Sequence, residues 1–268
     1  MSWVVCCIKA ATDALMSFST IQERLVFINS QVLTAVPSAQ AKGSNKIIAG
    51  YGEDTASVVA GSALAFSGSV PQQLKDDVIN STLFAQLVAN SKRDRENDAS
   101  GWYGAYKQAL VSLGWYMMDV QLVELSEVQG FGTVERVVNH LGATFLNGQQ
   151  LVQFASMTQA LQEPTNKDAE QTFNAMSTGS DSKSANFQMG VVYVTSGNPC
   201  MPIQQCVYTS SQEVDRVLYD RIDSAQIKFL TGNQTMLLNG EVYNVLRQIV
   251  IDKLRPYESD GLIQAIEL

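Results

Sequence analysis

Apolar side chains recur at spacings of three and four through much of the first half of the chain and at a spacing of two in parts of the second. That change of period predicts helices first and strands later. The region up to Val36 reads as a helix from Ile21, Leu25, Ile28 and Val32, with Pro37 beyond its end. Gly43 to Ser69 is rich in Gly, Ser and Ala yet carries Ile47-Ile48, Val58-Val59 and Leu64-Ala65-Phe66, too apolar for a linker. It reads as a small-residue helix packed closely on the core, because the Gly-x-x-x-x-Gly-Lys spacing of a phosphate loop is missing. Pro71 opens the clearest helix, with Leu74, Val78, Leu83, Leu87 and Val88 on one broad face, ending near Arg95. Gly101 to Leu113 reads as another helix, punctuated by Gly114.

From Trp115 the period becomes two, and Tyr116, Met118, Val120 and Leu122 mark a strand. Helices are expected again over Val134 to Leu141, Phe145 to Leu161 and Lys167 to Met176, followed by a Ser/Gly-rich loop from Ser177 to Ala185. A strand then places Phe187, Met189, Val191 and Tyr193 on one face, and Gly197-Asn198-Pro199 signals a turn. Further strands are expected from Ile203 to Ser210, Val217 to Ile222 and Gln226 to Leu230, with Thr231-Gly232-Asn233 as a turn. A last helix carries Val242, Val245, Leu246, Ile249 and Leu254 and closes at Pro256. Strands grouped in this way predict an α+β fold in which an antiparallel meander sheet is surrounded by several helices. No repeat or boundary divides residues 1–268, so the expectation is one compact domain.

Composition narrows the function classes. Charged residues make up only 16% of the chain, and the net charge is −8. Nucleic-acid affinity comes mainly from Lys and Arg neutralising phosphates, so nucleic acid is excluded as a partner. Lys92, Arg93 and Arg95 are interrupted by Asp94 and followed by Glu96, and they read as a solvated helix end. The apolar runs fall short of the roughly 18 to 20 residues that cross a bilayer. Met1 to Met16 lacks the pattern of an export signal. The expected location is cytoplasmic on synthesis, with release by a route that needs no leader and peripheral attachment to membranes.

Enzyme signatures are missing: there is no Gly-x-Ser-x-Gly, His-Glu-x-x-His, dinucleotide fingerprint or Walker loop. His140 is the single histidine and reads as a helix-end cap. Asp76-Asp77, Glu124 with Glu127, and Asp220 with Asp223 read as surface acids. No catalytic residue and no metal ligand set is expected. The four cysteines, Cys6, Cys7, Cys200 and Cys206, read as reduced thiols without metal spacing. Cys206 lies mid-strand, where a cysteine is usually a small buried hydrophobe.

The run from Ser81 to Trp115, with its Gly-Trp-Tyr and Leu-Gly-Trp, the strand bearing Cys206, and the ending Leu-Leu-Asn-Gly-Glu-Val-Tyr-Asn-Val-Leu-Arg together resemble the Erwinia virulence factor (Evf) type of protein. The resemblance implies a virulence or persistence factor acting at host insect-gut membranes without catalysis. It implies a fatty acyl chain, palmitate, held as a thioester on Cys206. Ile203, Val207, Phe187, Met189, Val191 and Tyr193 are the expected lining of that chain. Cys200 is the competing thiol, expected to be the more exposed of the two beside Pro199 and Pro202. Two alternatives stand beside it. Phe66-Ser67-Gly68-Ser69-Val70 leading into an amphipathic helix and a later sheet suggests a pore-forming cytolysin of the Cyt type. A cysteine acyltransferase or hydrolase would need Cys206 and His140 together.

Overall fold

A computed structural model describes residues 18–34, 52–117, 121–126, 128, 130–222 and 227–268. Its helices are α1 (Ile21–Ser30), α2 (Gln72–Lys92), α3 (Ala99–Ser112), α4 (Val134–Gly142), α5 (Gly148–Ala160), α6 (Lys167–Ser177) and α7 (Gly240–Leu254). Its strands are β1 (Thr55–Val59), β2 (Ser62–Phe66), β3 (Trp115–Tyr116), β4 (Val123–Glu124), β5 (Ser184–Thr195), β6 (Asn198–Ser210), β7 (Ile227–Leu238) and β8 (Ile263–Ile266). The strands form one open sheet in the order β3-β7-β6-β5-β2-β1-β8, with β4 also paired to β7.

The fold is α+β. Strands β5, β6 and β7 form the expected antiparallel meander. The meander is part of a mixed sheet, because β2 runs parallel to β5. Helices cover both faces. Side chains alternate across each strand, so Val59, Leu64, Phe66, Val192, Met201 and Ile203 join the core beneath α2, α3 and α7. Ala56, Val58, Ala63, Ala65, Phe187, Met189, Val191 and Cys206 join the core beneath α4, α5 and α6.

Local sequence explains the helix starts. Thr20 and Glu23 form a reciprocal capping box on α1, and Asn147 and Gln150 do the same on α5. Asn239 caps α7 by accepting from the backbone N–H groups of Glu241 and Val242. Helix α2 starts directly after Pro71, as expected.

Several expectations are corrected. The part of Gly43 to Ser69 that lies within the described residues is the β1–β2 hairpin rather than a helix. Both its strands are buried on both faces, so the apolar residues run on without alternation and the pattern loses its period. The strand expected from Trp115 breaks into β3, which pairs with the end of β7 at Leu237 and Leu238, and β4, which pairs with Leu230 and Thr231; Met118 and Val120 lie outside the described residues. Thr231-Gly232-Asn233 is not a turn. It sits within β7, opposite Cys206, Gln205 and Gln204 of β6, whose ladder fixes the extended backbone. Val217 to Ile222 is irregular: Val217 and Leu218 are buried, and the Val217 carbonyl accepts from the Tyr208 hydroxyl at 3.0 Å. No described helix is long and apolar enough to cross a membrane.

Candidate functional site

Cys206 lies at the centre of the meander, with Phe187 of β5 and Thr231 of β7 as its cross-strand neighbours. Its side chain faces α4–α6 and is fully buried. An aromatic cluster shares that face. Tyr208 and Phe229 stack with ring centroids 6.0 Å apart, and Phe187 meets Tyr208 edge-on at 6.4 Å. Phe173 of α6 closes on Phe187 at 5.7 Å from above the sheet. These contacts place the sulfur in apolar surroundings, against an otherwise polar pair formed by Thr231 and Gln204. Burial pushes the thiol far above its ordinary range, and hydrogen bonding to Thr231 and Gln204 opposes this only in part. At neutral pH the group is a thiol rather than a thiolate.

The expected lining residues divide between the two faces. Phe187, Met189 and Val191 share the core with Cys206. Ile203 and Val207 do not, because they lie three and one positions from Cys206 and so point to the opposite side of the sheet, beneath α2, α3 and α7. Tyr193 lies farther along β5, where its hydroxyl accepts a hydrogen bond from the Cys200 thiol at 3.1 Å. Cys200 is the more exposed of the two thiols, as expected beside its two prolines, but at 5% against 0% it is buried as well. Cys6 and Cys7 lie outside the described residues.

The remaining candidates for chemistry are dispersed. His140 is exposed on α4 and packs its ring against Phe131 at 5.0 Å, whereas the thiol's polar neighbours are Thr231 and Gln204. Asp77 pairs with Arg247 across α2 and α7, and Glu124 pairs with Lys228. Among the described residues no group of three or more His, Cys, Asp or Glu could hold a metal ion.

Arg95 is not part of a solvated helix end: its guanidinium lies 4.5 Å over the Trp102 ring and its Nε and Nη2 are buried. The mixed charges around it gave no sign of this, since the contact with Trp102 arises only where the chain turns from α2 into α3.

No protein-family model and no curated protein matches the chain. Among solved structures it is similar to the Evf virulence factor, at 13% identity over 89% of this chain and 90% of that one, with a TM-score of 0.29. It is also similar to a delta-endotoxin, at 9% identity over 76% of this chain and 91% of that one, with a TM-score of 0.36. Both likenesses are distant.

Proposed function

We propose that the protein is a non-catalytic virulence or persistence factor that carries a fatty acyl chain, palmitate, as a thioester on Cys206 and acts at host membranes. The observation that carries this reading is the setting of Cys206. It is a fully buried thiol at the centre of the sheet, facing Phe187, Met189 and Val191 beneath a layer of three helices. An acyl chain laid against that face gains about 0.8 kcal/mol per buried methylene and becomes part of the core. Because the sulfur is closed off, acylation takes place before α4–α6 settle on the sheet or while they are raised from it. The same burial argues against an acyltransferase or hydrolase, whose nucleophile must form a thiolate within reach of a base. Released from the core, a single chain gives marginal, reversible membrane attachment, which suits a peripheral factor.

The test is labelling with an alkyne-bearing fatty acid in cells making the wild type, Cys206→Ser and Cys200→Ser. Label is expected on the wild type and on Cys200→Ser, removable by neutral hydroxylamine, and missing from Cys206→Ser. Label that persists in Cys206→Ser, or a wild type without label in an acylating host, contradicts the proposal.

A second reading, a pore-forming cytolysin of the Cyt type, is favoured by strand length. Strands β5, β6 and β7 run for 12, 13 and 12 residues, longer than the roughly 9 to 11 that a tilted bilayer-spanning strand needs. This reading expects dye release from liposomes, which the acylated factor does not cause.

A further inference from the structure

One side chain builds the turn between α2 and α3. Asp94 Oδ1 accepts from the backbone N–H groups of Glu96 and Asn97 at 2.8 and 3.0 Å, and its Oδ2 accepts from Asn97 Nδ2 at 2.9 Å. With the turn fixed in this way, Arg95 and Glu96 both reach the segment that joins α6 to β5. Arg95 Nη1 donates to the Met176 carbonyl in the last turn of α6 at 2.7 Å, and the Arg95 carbonyl accepts from Asn186 Nδ2 of β5 at 3.1 Å. Glu96 takes the loop between those two points. Its Oε2 accepts from the Ser180 amide at 2.9 Å and from Ser180 Oγ at 2.7 Å, and its Oε1 accepts from Ser184 Oγ at 3.3 Å.

The loop is shaped to receive that carboxylate. The Gly179 amide donates to the Ser184 carbonyl at 2.8 Å, and Thr178 pairs with Ala185 across the loop's base. Position 179 has no room for a side chain, because a Cβ there would collide with Ser184 Oγ and sit 2.7 Å from Glu96 Oε1. The loop also carries the chain that follows β6. The Lys183 carbonyl accepts from the Ser210 amide at 2.7 Å, and the Ser182 carbonyl from the Val214 amide at 2.6 Å.

Both segments tied to this loop belong to the cover of Cys206. Phe173, three residues before Met176 on α6, packs on Phe187, the cross-strand neighbour of Cys206. Val214, Val217 and Leu218 join the same core. Cys200 stands apart from it, about 20 Å along the strand from Cys206 and paired with Tyr193 and Leu237. A packed layer opens as a local unit, and a tie between its end and the rest of the fold sets part of the free energy of that opening. Hydrogen bonds to a charged acceptor are the stronger kind of tie.

We propose that Glu96 is a latch: its carboxylate holds the α6–β5 loop against the α2–α3 turn, and release of the loop lets α6 lift from Phe187 and opens Cys206 to solvent. Such an opening is what acylation of a closed-off thiol requires. Its part in acylation rests on the reading of Cys206 as the acylated residue; the latch itself does not, and is tested on the free thiol.

The experiment is slow alkylation of the full chain with iodoacetamide at pH 8 without denaturant, after neutral hydroxylamine to free any thioester. The rates at Cys206 and Cys200 are read from the same digest, so that the distant thiol is the internal reference for unfolding of the whole chain. Glu96→Ala is expected to raise the ratio of the Cys206 rate to the Cys200 rate by about tenfold or more over the wild type, since bonds to a charged acceptor are lost. Glu96→Gln, which keeps one acceptor oxygen, is expected to raise it by less. Gly179→Ala, which wedges the loop away from the carboxylate, is expected to raise it as well. If Glu96→Ala fails to fold, Glu96→Gln and Gly179→Ala decide. A ratio that does not rise in the variants that fold, whether both rates are unchanged or both increase together, would overturn the proposal. A wild type without an acyl group would sink the acyl reading and still leave this ratio to decide the latch.

Discussion

Cys206 and Phe187 sit opposite each other across two strands, and both are fully buried on the α4–α6 side. Truncating Phe187 to Ala removes the ring that meets Phe173 and Tyr208, with an expected cost of about 3–5 kcal/mol in denaturant unfolding. Cys206→Ala removes one small group, for an expected loss of about 1–2 kcal/mol in unacylated protein. A free Cys206 thiol is expected to stay unlabelled by iodoacetamide at pH 8 in the folded state and to react once guanidinium unfolds the chain, as read by peptide mapping. Labelling of the folded protein within seconds would show a thiol that is not closed off. The position of Cys206 in a strand was legible from sequence, and so was its company of Phe187, Met189 and Val191. The inclusion of Ile203 and Val207 ignored strand alternation, which alone sends odd-numbered offsets to the other face.

Among the elements, the helices with local start signals were the most legible. Asn239 fixes the start of α7 with two side-chain hydrogen bonds, so Asn239→Ala is expected to cost about 1 kcal/mol, measured as a shift of the urea midpoint with an unchanged slope. A loss below a few tenths would mean that α7 is held by packing alone. The β1–β2 hairpin was hidden for a physical reason: Ala56, Val58, Ala63 and Ala65 face one helical layer while Val59, Leu64 and Phe66 face the other. With both faces covered, no polar alternation remains to be read. Thr231-Gly232-Asn233 carries turn chemistry, but its ladder to Gln204–Cys206 outweighs local preference, and strand pairing of that kind depends on a partner distant in sequence. The short β8, after Pro256, shows too few residues for a period and exists because it completes the sheet against β1.

At the scale of the whole molecule, two helical layers cover an open sheet and bury several ionisable groups. Burial raises the pKa of Tyr103, Tyr106, Tyr208 and Tyr243 as well as of the Cys206 thiol. An unfolded chain releases these protons near pH 8.5 for Cys and 10 for Tyr, so above those values it binds fewer protons than the folded chain and stability falls with rising pH. Arg95, lowered to about 10, acts in the opposite direction together with Arg24, Lys75 and Lys92, but the tyrosines and the thiol whose pKa values are raised outnumber them. The melting midpoint is therefore expected to fall between about pH 9 and 11; a midpoint constant to pH 11 would contradict this burial pattern. The acyl chain proposed for the Cys206 core face has a direct test. The most direct measurement is the intact mass of protein purified from an acylating host, before and after neutral hydroxylamine, with peptide mapping across residues 198–210. A mass excess of one fatty acyl group, lost on treatment and located on Cys206, is the predicted result. An unmodified mass, or an acyl group located on Cys200, would contradict it.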